Sequence, residues 1–402
     1  MSRRRDLDGL RGFAMVGVLG FHSAQIQGGD FGIIIFFVLS GYLICTLLLR
    51  EHDKAGRVSR SRFYIRRAAR LLPALVLGLG GYLALSSVLG DSWGYAAGHV
   101  WPAFFYCADA VIAFSTHVSG HVGWAWSLSV EEQFYVIWPA ILLFALWRKR
   151  IGIAVWIAVA GVIAATVERL VLVPSGPTLL TPTGVITQAR IYFAPDTRMD
   201  ALFVGCLLAI LLHRWPKTPS RELSWLLGLA GMGAIAACYA VTDIWATSTY
   251  TYWWSICTFG SAAAIYGMVT APRSPTAILC GIRPVAYLGR ISYGVYLWNS
   301  TLGLLMGHIV PGASTWQREL LWLTMSIGVA MLSVHLVEQP ILRRVGRDSS
   351  EYLKSQLRRS APTDEPATSP PLAIPPQPSM IMSVSARNAA KSAKSLMING
   401  DR

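Results

Sequence analysis

The chain has 402 residues, of which 53% are hydrophobic and only 14% are charged, and its formal net charge is +14. Soluble globular domains carry about 25% charged residues, so this composition excludes an ordinary water-soluble fold and indicates a protein whose main solvent is lipid. The basic residues stand between apolar runs rather than on one polar face, which argues against a nucleic-acid partner.

The six cysteines lie mostly inside apolar runs, and none of them forms a C-x-x-C pair. We predict that they are small buried hydrophobic residues rather than disulfides, and we expect no metal site. The basic start of the chain leads into an apolar run without a small-residue cleavage site, so we expect a retained first span.

Ten apolar runs approach the length of about 20 residues that a helix needs to cross a bilayer. In chain order they are Leu7–Ala24, Phe31–Leu49, Leu71–Leu89, Trp126–Trp147, Ile151–Val167, Met199–His213, Leu223–Val241, Tyr252–Val269, Ile291–Val310 and Glu319–Leu342. An eleventh run, Val100–Phe114, is short and contains Pro102 and Asp109. These runs predict an all-α, polytopic membrane bundle of about ten transmembrane helices plus one re-entrant or interfacial segment.

The distribution of Lys and Arg predicts the orientation of the bundle. With ten spans and a cytoplasmic N-terminus, most of these residues fall in cytoplasmic segments, as the positive-inside rule requires. Counting Val100–Phe114 as a further span removes this asymmetry, which is why we assign it a re-entrant or interfacial position. Residues 1–345 are then a domain of the plasma membrane, and residues 346–402 are expected to form a disordered cytoplasmic tail rich in Pro, Ser, Ala and Thr.

Ionisable residues inside spans are costly in lipid and are therefore candidate functional residues. The first span holds Asp8, Arg11 and His22. The eleven-residue separation of Arg11 and His22 places them within roughly 20° on one helix face and roughly 16 Å apart along the axis. Histidine is the side chain best suited to accept a proton near neutral pH. The alternative is that Arg11 reaches lipid headgroups and His22 makes a structural contact.

Six arginines lie between Arg57 and Arg70, in the segment that leads into the third span. Guanidinium groups match the geometry of phosphate, so Arg66, Arg67 and Arg70 are candidates to bind a phosphorylated cytoplasmic donor. Binding of anionic lipid headgroups explains the same cluster equally well.

Carboxylates occur at three further places where lipid makes them costly. Glu131 and Glu132 are adjacent on the fourth span and point about 100° apart, so only one of them can face a given cavity squarely. Asp196, Arg198 and Asp200, at the N-terminal end of the sixth span, predict an ion-paired cluster, and Glu338 near the end of the last span predicts a pair with an inner arginine.

The chain resembles the acyltransferase-3 family of bacterial integral membrane O-acyltransferases. The landmarks that carry the resemblance are Arg11-x10-His22, Phe36-Phe-Val-Leu-Ser-Gly-Tyr-Leu-Ile44, Tyr64-Ile-Arg-Arg-Ala-Ala-Arg-Leu-Leu-Pro73, Trp126-Ser-Leu-Ser-Val-Glu-Glu-Gln-Phe134, Asp196-Thr-Arg198 and Ile291-Ser-Tyr-Gly-Val-Tyr-Leu-Trp298. Two positions depart from the family pattern: Ile34 stands in a stretch that commonly holds Asp, and Asn299 stands where His is frequent.

The resemblance implies a ten-helix enzyme that binds no cofactor and uses acyl-CoA, commonly acetyl-CoA, as co-substrate. The acceptor it implies is a hydroxyl of a sugar, glycan, glycolipid or glycosylated metabolite. It also implies that Arg11 and His22 are a functional pair.

Combined with the residue chemistry, the resemblance leads us to expect that His22 acts as general base or transient acyl carrier, with Glu131 orienting His22 or the acceptor hydroxyl. The alternatives are a transporter or flippase of a lipid-linked glycan, and a scaffold or sensor with a degenerate site.

Overall fold

The structure is a computed structural model that describes residues 4–114, 122–173, 189–216, 219–243 and 246–345. Every regular element in these ranges is a helix, which confirms the predicted all-helical class. The predicted tail, residues 346–402, lies outside the described residues.

The helices are numbered in chain order. They are α1 Arg5–His22, α2 Gly32–Ala55, α3 Arg60–Leu85, α4 Trp93–Phe104, α5 Ala108–Phe114, α6 Ala125–Trp147, α7 Gly152–Leu172, α8 Pro195–Arg198, α9 Asp200–Arg214, α10 Arg221–Val241, α11 Trp254–Thr270, α12 Pro275–Cys280, α13 Arg283–Ile309 and α14 Thr315–Ser333. A 3-10 turn, Gln27–Phe31, precedes α2, and the π-helical turns Thr249–Trp253 and Val334–Glu338 precede α11 and follow α14.

Six helical segments of the described chain are long and apolar enough to cross a membrane: Gln27–Ala55, Arg60–Leu85, Ala125–Trp147, Gly152–Leu172, Arg221–Val241 and Thr315–Val345. The protein is therefore a multi-pass membrane protein, although this number is smaller than the predicted ten. The other four predicted spans correspond to α1, α9, α11 and α13. At least two of them do not meet the length or the apolar character of a membrane span, because α1 carries four charged residues and α9 has only 15 residues.

The ambiguous run around Val100–Phe114 is a broken helix. Helices α4 and α5 meet at an angle of 113°, and Tyr106 between them has a positive φ of 54°. This bend fits a re-entrant loop or a broken span, and the second reading would bring the number of candidate spans to seven. The predicted re-entrant or interfacial position thus stays a prediction.

Close helix crossings at glycine fix the centre of the bundle. A Cβ atom at Gly289 of α13 would lie 1.7 Å from the carbonyl oxygen of Asp8 in α1, and one at Gly205 of α9 would lie 2.1 Å from the carbonyl oxygen of Val38 in α2. Small residues allow such close backbone approach where lipid gives helices no hydrophobic reason to associate. As a result α1 and α2, which carry most of the candidate residues, are held between α13 and α9.

Candidate active site

Five arginines from separate parts of the chain line a cavity of about 540 Å³ at the end of the bundle where α1 begins. They are Arg4, Arg11, Arg50, Arg70 and Arg290. Only two carboxylates, those of Asp8 and Glu338, line the same cavity, which therefore carries a strong positive charge. We call it the arginine cavity.

A second, narrower cavity of about 220 Å³ adjoins the arginine cavity, and we call it the middle cavity. Four residues line both: Arg11, Leu43, Arg70 and Arg290. Most of the remaining wall is apolar and includes Met15, Ile33 and Phe37. Ser127 of α6 and Tyr296 of α13 also line the middle cavity.

A third cavity, of about 590 Å³, lies at the end of the bundle where α1 ends. We call it the His22 cavity, because His22 is the last residue of α1 and its exposed ring lines this space. Arg11 lines the middle cavity, whereas His22 lines only the His22 cavity.

The hydrogen bond between His22 and Asn299 determines which ring nitrogen is free. The Asn299 amide nitrogen donates to the carbonyl oxygens of Val295 at 3.1 Å and Tyr296 at 2.7 Å, so its Oδ1 must be the atom that faces Nδ1 of His22 at 2.7 Å. Because Oδ1 can only accept, Nδ1 carries the proton of the neutral ring, and Nε2 is left unprotonated. This is the tautomer that a general base or nucleophile requires.

A hydrogen-bonded layer separates the middle cavity from the His22 cavity. The Tyr296 hydroxyl contacts Ser127 Oγ at 2.6 Å and the carbonyl oxygen of Trp124 at 2.8 Å. Tyr296 and Ser127 face the middle cavity, whereas Trp124 and Asn299 face the His22 cavity. Among the described residues, none lines both cavities.

The structure also reveals a carboxylate that the sequence analysis missed. Asp30 is buried, accepts a hydrogen bond from the Tyr192 hydroxyl, and interacts electrostatically with Arg198 and His22. It precedes Ile34 by four residues, which is about one helical turn. The sequence therefore does contain an acidic residue near Ile34, but it lies about one turn before the stretch in which the family pattern commonly has Asp.

The predicted ion pairing of Asp196 with Arg198 is wrong. Asp196 pairs with Arg190, whereas Arg198 is fully buried and donates from Nε to the carbonyl oxygen of Tyr192. The Arg198 guanidinium lies 3.6 Å from the ring centroid of Trp254. Aromatic faces attract cations, so this contact replaces the expected carboxylate.

Of the two roles predicted for Glu131, orienting His22 and orienting the acceptor hydroxyl, the structure does not form the contact that the first requires. Glu131 accepts hydrogen bonds from the Tyr135 hydroxyl at 2.7 Å and from Ser40, and it lines the middle cavity rather than the His22 cavity. Glu131 and His22 line different cavities, which the layer formed by Tyr296 separates. Glu131 is therefore placed to contact a molecule inside the middle cavity.

The three arginines predicted to bind phosphate have different surroundings. Arg67 donates from Nε to both carboxylate oxygens of Glu132 at 3.0 Å and lies 3.1 Å from the ring centroid of Tyr135, so its charge is already paired. Arg66 is exposed, donates to the carbonyl oxygen of Arg62 at 3.3 Å, and lines none of the three cavities. Arg70 alone faces the arginine cavity.

The carboxylates of Asp8 and Glu338 both line the arginine cavity. Glu338 accepts a hydrogen bond from Ser333 at 3.2 Å and interacts electrostatically with Arg70. In the described ranges, neither Arg11 nor Arg70 makes a hydrogen bond or salt bridge with protein, so both remain available to a ligand. No three His, Cys, Asp or Glu side chains in those ranges converge as metal ligands would.

Comparisons with known proteins show the family of the chain. The sequence profile of an acyltransferase domain matches residues 4–337. The O-acetyltransferase OatA of Staphylococcus aureus is 26% identical over 376 residues, covering 88% of this chain and 60% of the relative. The peptidoglycan O-acetyltransferase OatA of Listeria monocytogenes is 28% identical, covering 83% of this chain and 55% of the relative.

The putative peptidoglycan O-acetyltransferase YrhL of Bacillus subtilis is 30% identical, covering 83% of this chain and 54% of the relative. The chain thus spans between 54% and 60% of the length of these three relatives. No solved structure matches the chain.

Proposed function

Because the chain belongs to the acyltransferase-3 family, we propose that it is a membrane O-acyltransferase that moves an acetyl group from acetyl-CoA to a hydroxyl of a cell-surface glycan. The curated relatives are named for O-acetylation, and two of the three are named for peptidoglycan. One observation carries the proposal: the positively charged arginine cavity adjoins the middle cavity, and a histidine with a free Nε2 lies beyond the hydrogen-bonded layer at Tyr296.

The arginine cavity is the proposed site of the CoA phosphates. Arginine binds phosphate oxygens in pairs of parallel hydrogen bonds, and an arginine without a protein partner has those donors free. Arg11 and Arg70 meet this condition, and both also line the middle cavity. They are therefore suited to hold the phosphates at the point where the uncharged arm of the donor enters the passage.

The middle cavity is the proposed path of that arm. Its apolar wall suits the methylene groups of pantetheine, and Ser40, Glu131 and Tyr135 supply polar atoms along it. The thioester would then arrive at the layer formed by Tyr296, with His22 beyond it. We place this passage with the arginine cavity on the cytoplasmic side and the His22 cavity on the outer side.

The free Nε2 of His22 supports two routes for the transfer. As a general base, it takes the proton of the acceptor hydroxyl while that oxygen bonds to the thioester carbonyl carbon. The carbon–sulfur bond then breaks, and the imidazolium returns the proton to the leaving CoA thiolate. As a nucleophile, Nε2 itself bonds to the carbonyl carbon, the carbon–sulfur bond breaks and CoA leaves as its thiolate. The acceptor oxygen then bonds to the acetyl carbon as the bond to Nε2 breaks, and the freed Nε2 takes the hydroxyl proton and passes it to the thiolate.

The test is transfer by purified protein in nanodiscs, with labelled acetyl-CoA as donor and a peptidoglycan-type oligosaccharide as acceptor. We expect labelled ester on the oligosaccharide, and we expect His22→Ala to abolish it by removing the base. His308→Ala is the matched control. His308 lies in the last turn of α13, next to Gly307, which lines the His22 cavity, but His308 itself does not line that cavity. Intact donor after prolonged incubation would contradict the proposal and favour a transporter without acyl chemistry.

A further inference from the structure

The His22 cavity has a wall that the transfer chemistry does not use. This wall is formed by the last turns of α13 and the first turns of α14. Its charged residues are Arg318 and Glu319, which are adjacent in sequence and half-buried. Both belong to the first turns of α14, and both line the same cavity as His22.

Neither charged residue is engaged with the protein. Among the described residues, Arg318 and Glu319 have no side-chain hydrogen bond and no salt bridge. Half-buried charged groups without protein partners keep hydrogen-bonding atoms free to contact a bound molecule. The pair therefore indicates a polar ligand in this cavity.

The remainder of the wall is arranged to keep the space open beside aromatic rings. The indole of Trp322 donates to the carbonyl oxygen of Asn299 at 2.6 Å, which fixes this ring next to the partner of His22. Gly307 has no heavy atom within 4 Å of the position of a Cβ, so a side chain there would extend into open space. The volume of about 590 Å³ lies within the usual range of small-molecule sites, about 300–1,000 Å³.

We propose that this wall is the acceptor subsite, and that it selects a neutral, hydroxyl-bearing sugar ring through Arg318 and Glu319. The opposite charges of the two side chains cancel, so an acidic sugar would meet Glu319 and a cationic amino sugar would meet Arg318. Sugar hydroxyls both donate and accept, and they satisfy the two side chains together. The inference rests on the proposed acetyl transfer.

The first experiment fills the cavity. Gly307→Leu, compared with Gly307→Ala and the unaltered protein, is measured for acceptor KM and for equilibrium binding of acetyl-CoA. We expect acceptor KM to rise about tenfold or more with Leu and less with Ala, because the added side chain occupies the space of the sugar. Gly233→Leu is the control: Gly233 is also an exposed helical glycine with no neighbour within 4 Å, but it lines none of the three cavities.

Measuring acetyl-CoA binding distinguishes an error in the acceptor subsite from an error in the proposed acetyl transfer. If Gly307→Leu binds acetyl-CoA normally and keeps its acceptor KM, the subsite is wrong and the transfer remains. If the unaltered protein neither binds nor consumes acetyl-CoA, the proposed transfer itself fails.

The second experiment tests selection by charge. Glu319→Gln is measured with a neutral N-acetylated oligosaccharide and with a uronate oligosaccharide of equal length. We expect the preference for the neutral acceptor, expressed as the ratio of kcat/KM values, to fall about tenfold, because the carboxylate that repels the uronate is gone. Glu222→Gln, at an exposed carboxylate outside the three cavities, should leave the ratio unchanged. An unchanged ratio in Glu319→Gln would overturn the assignment.

Discussion

Asn299 illustrates how one amide can decide the chemistry of a neighbouring ring. Its nitrogen is committed to two backbone carbonyl groups of its own helix, so only its oxygen can face His22. The imidazole therefore presents an unprotonated Nε2, and no charged side chain among the described residues is hydrogen-bonded to the ring. A histidine at this position, which the family pattern favours, would have to achieve the same result with a ring nitrogen.

Replacing Asn299 by Leu should lower kcat by about 10²-fold, because the ring of His22 loses the acceptor that fixes its tautomer. The KM for the acceptor should change little, since the lost contact holds the base rather than the sugar. Thr301→Val is the matched control, because the buried Thr301 hydroxyl on the same helix has no hydrogen-bond partner. A loss of stability without a fall in kcat would show that the amide is only structural.

Arg66 and Arg70 provide a matched pair for the donor site, since both lie on α3 and only Arg70 lines a cavity. Arg70→Ala should raise the KM for acetyl-CoA about tenfold, as expected for the loss of a charge-assisted hydrogen bond to phosphate. Arg66→Ala should leave this KM unchanged. Equal effects of the two substitutions would point to general surface charge instead of a phosphate site.

At the level of helices, glycine determines how closely α1, the helix that carries His22, can be held. Helix α1 ends at His22, and its position is set by its crossing with α13, where Gly289 allows the backbone of Asp8 to approach. Because the same α13 carries Tyr296 and Asn299, one close crossing aligns the histidine, its partner and the layer between the cavities. A displacement of α1 would therefore affect all three.

Gly289→Ala should destabilise the protein by about 1–3 kcal/mol, because a Cβ there would lie 1.7 Å from the carbonyl oxygen of Asp8 and the backbones would have to separate. The readout is the thermal unfolding midpoint in detergent together with transfer activity. Gly233→Ala, with no neighbouring atom within 4 Å, should leave the midpoint unchanged or raise it slightly, since Ala favours helix more than Gly. Equal midpoints for the two variants would contradict this role of the crossing.

Across the whole molecule, the sequence predicted the helices far better than the cavities. Apolar runs and helical periodicity depend on neighbouring residues, so the ten predicted spans all correspond to helices. Cavity membership depends on packing: Arg67 and Arg70 are three residues apart, yet one pairs with Glu132 and the other faces the arginine cavity.

The contributions of Arg4, Arg50 and Arg290 to the arginine cavity could not be predicted from sequence for the same reason. These residues come from distant parts of the chain and meet only after the helices have packed. Charge pattern alone indicated the segment Arg57–Arg70, which runs into α3 and supplies just one of the five arginines.

The proposed orientation can be tested with cysteines and a membrane-impermeant thiol reagent on intact cells. Gly312→Cys, in the exposed connection between α13 and α14, should react from outside, whereas Lys54→Cys, near the end of α2, should react only after permeabilisation. The native thiols give little background, because five of the six are buried and Cys107 is half-buried. The reverse labelling pattern would invert the topology and place the arginine cavity outside.

The layer at Tyr296 has a consequence for the cell that houses this protein. A continuous water-filled channel through the bundle would let protons and other ions flow down their gradients, and the membrane potential would be lost. The Tyr296 hydroxyl is hydrogen-bonded to Ser127 and to the Trp124 carbonyl oxygen, and this layer closes such a channel. In our proposal the pantetheine arm of the donor fills the middle cavity whenever this layer opens. The acetyl group can then cross the membrane without ions leaking through it.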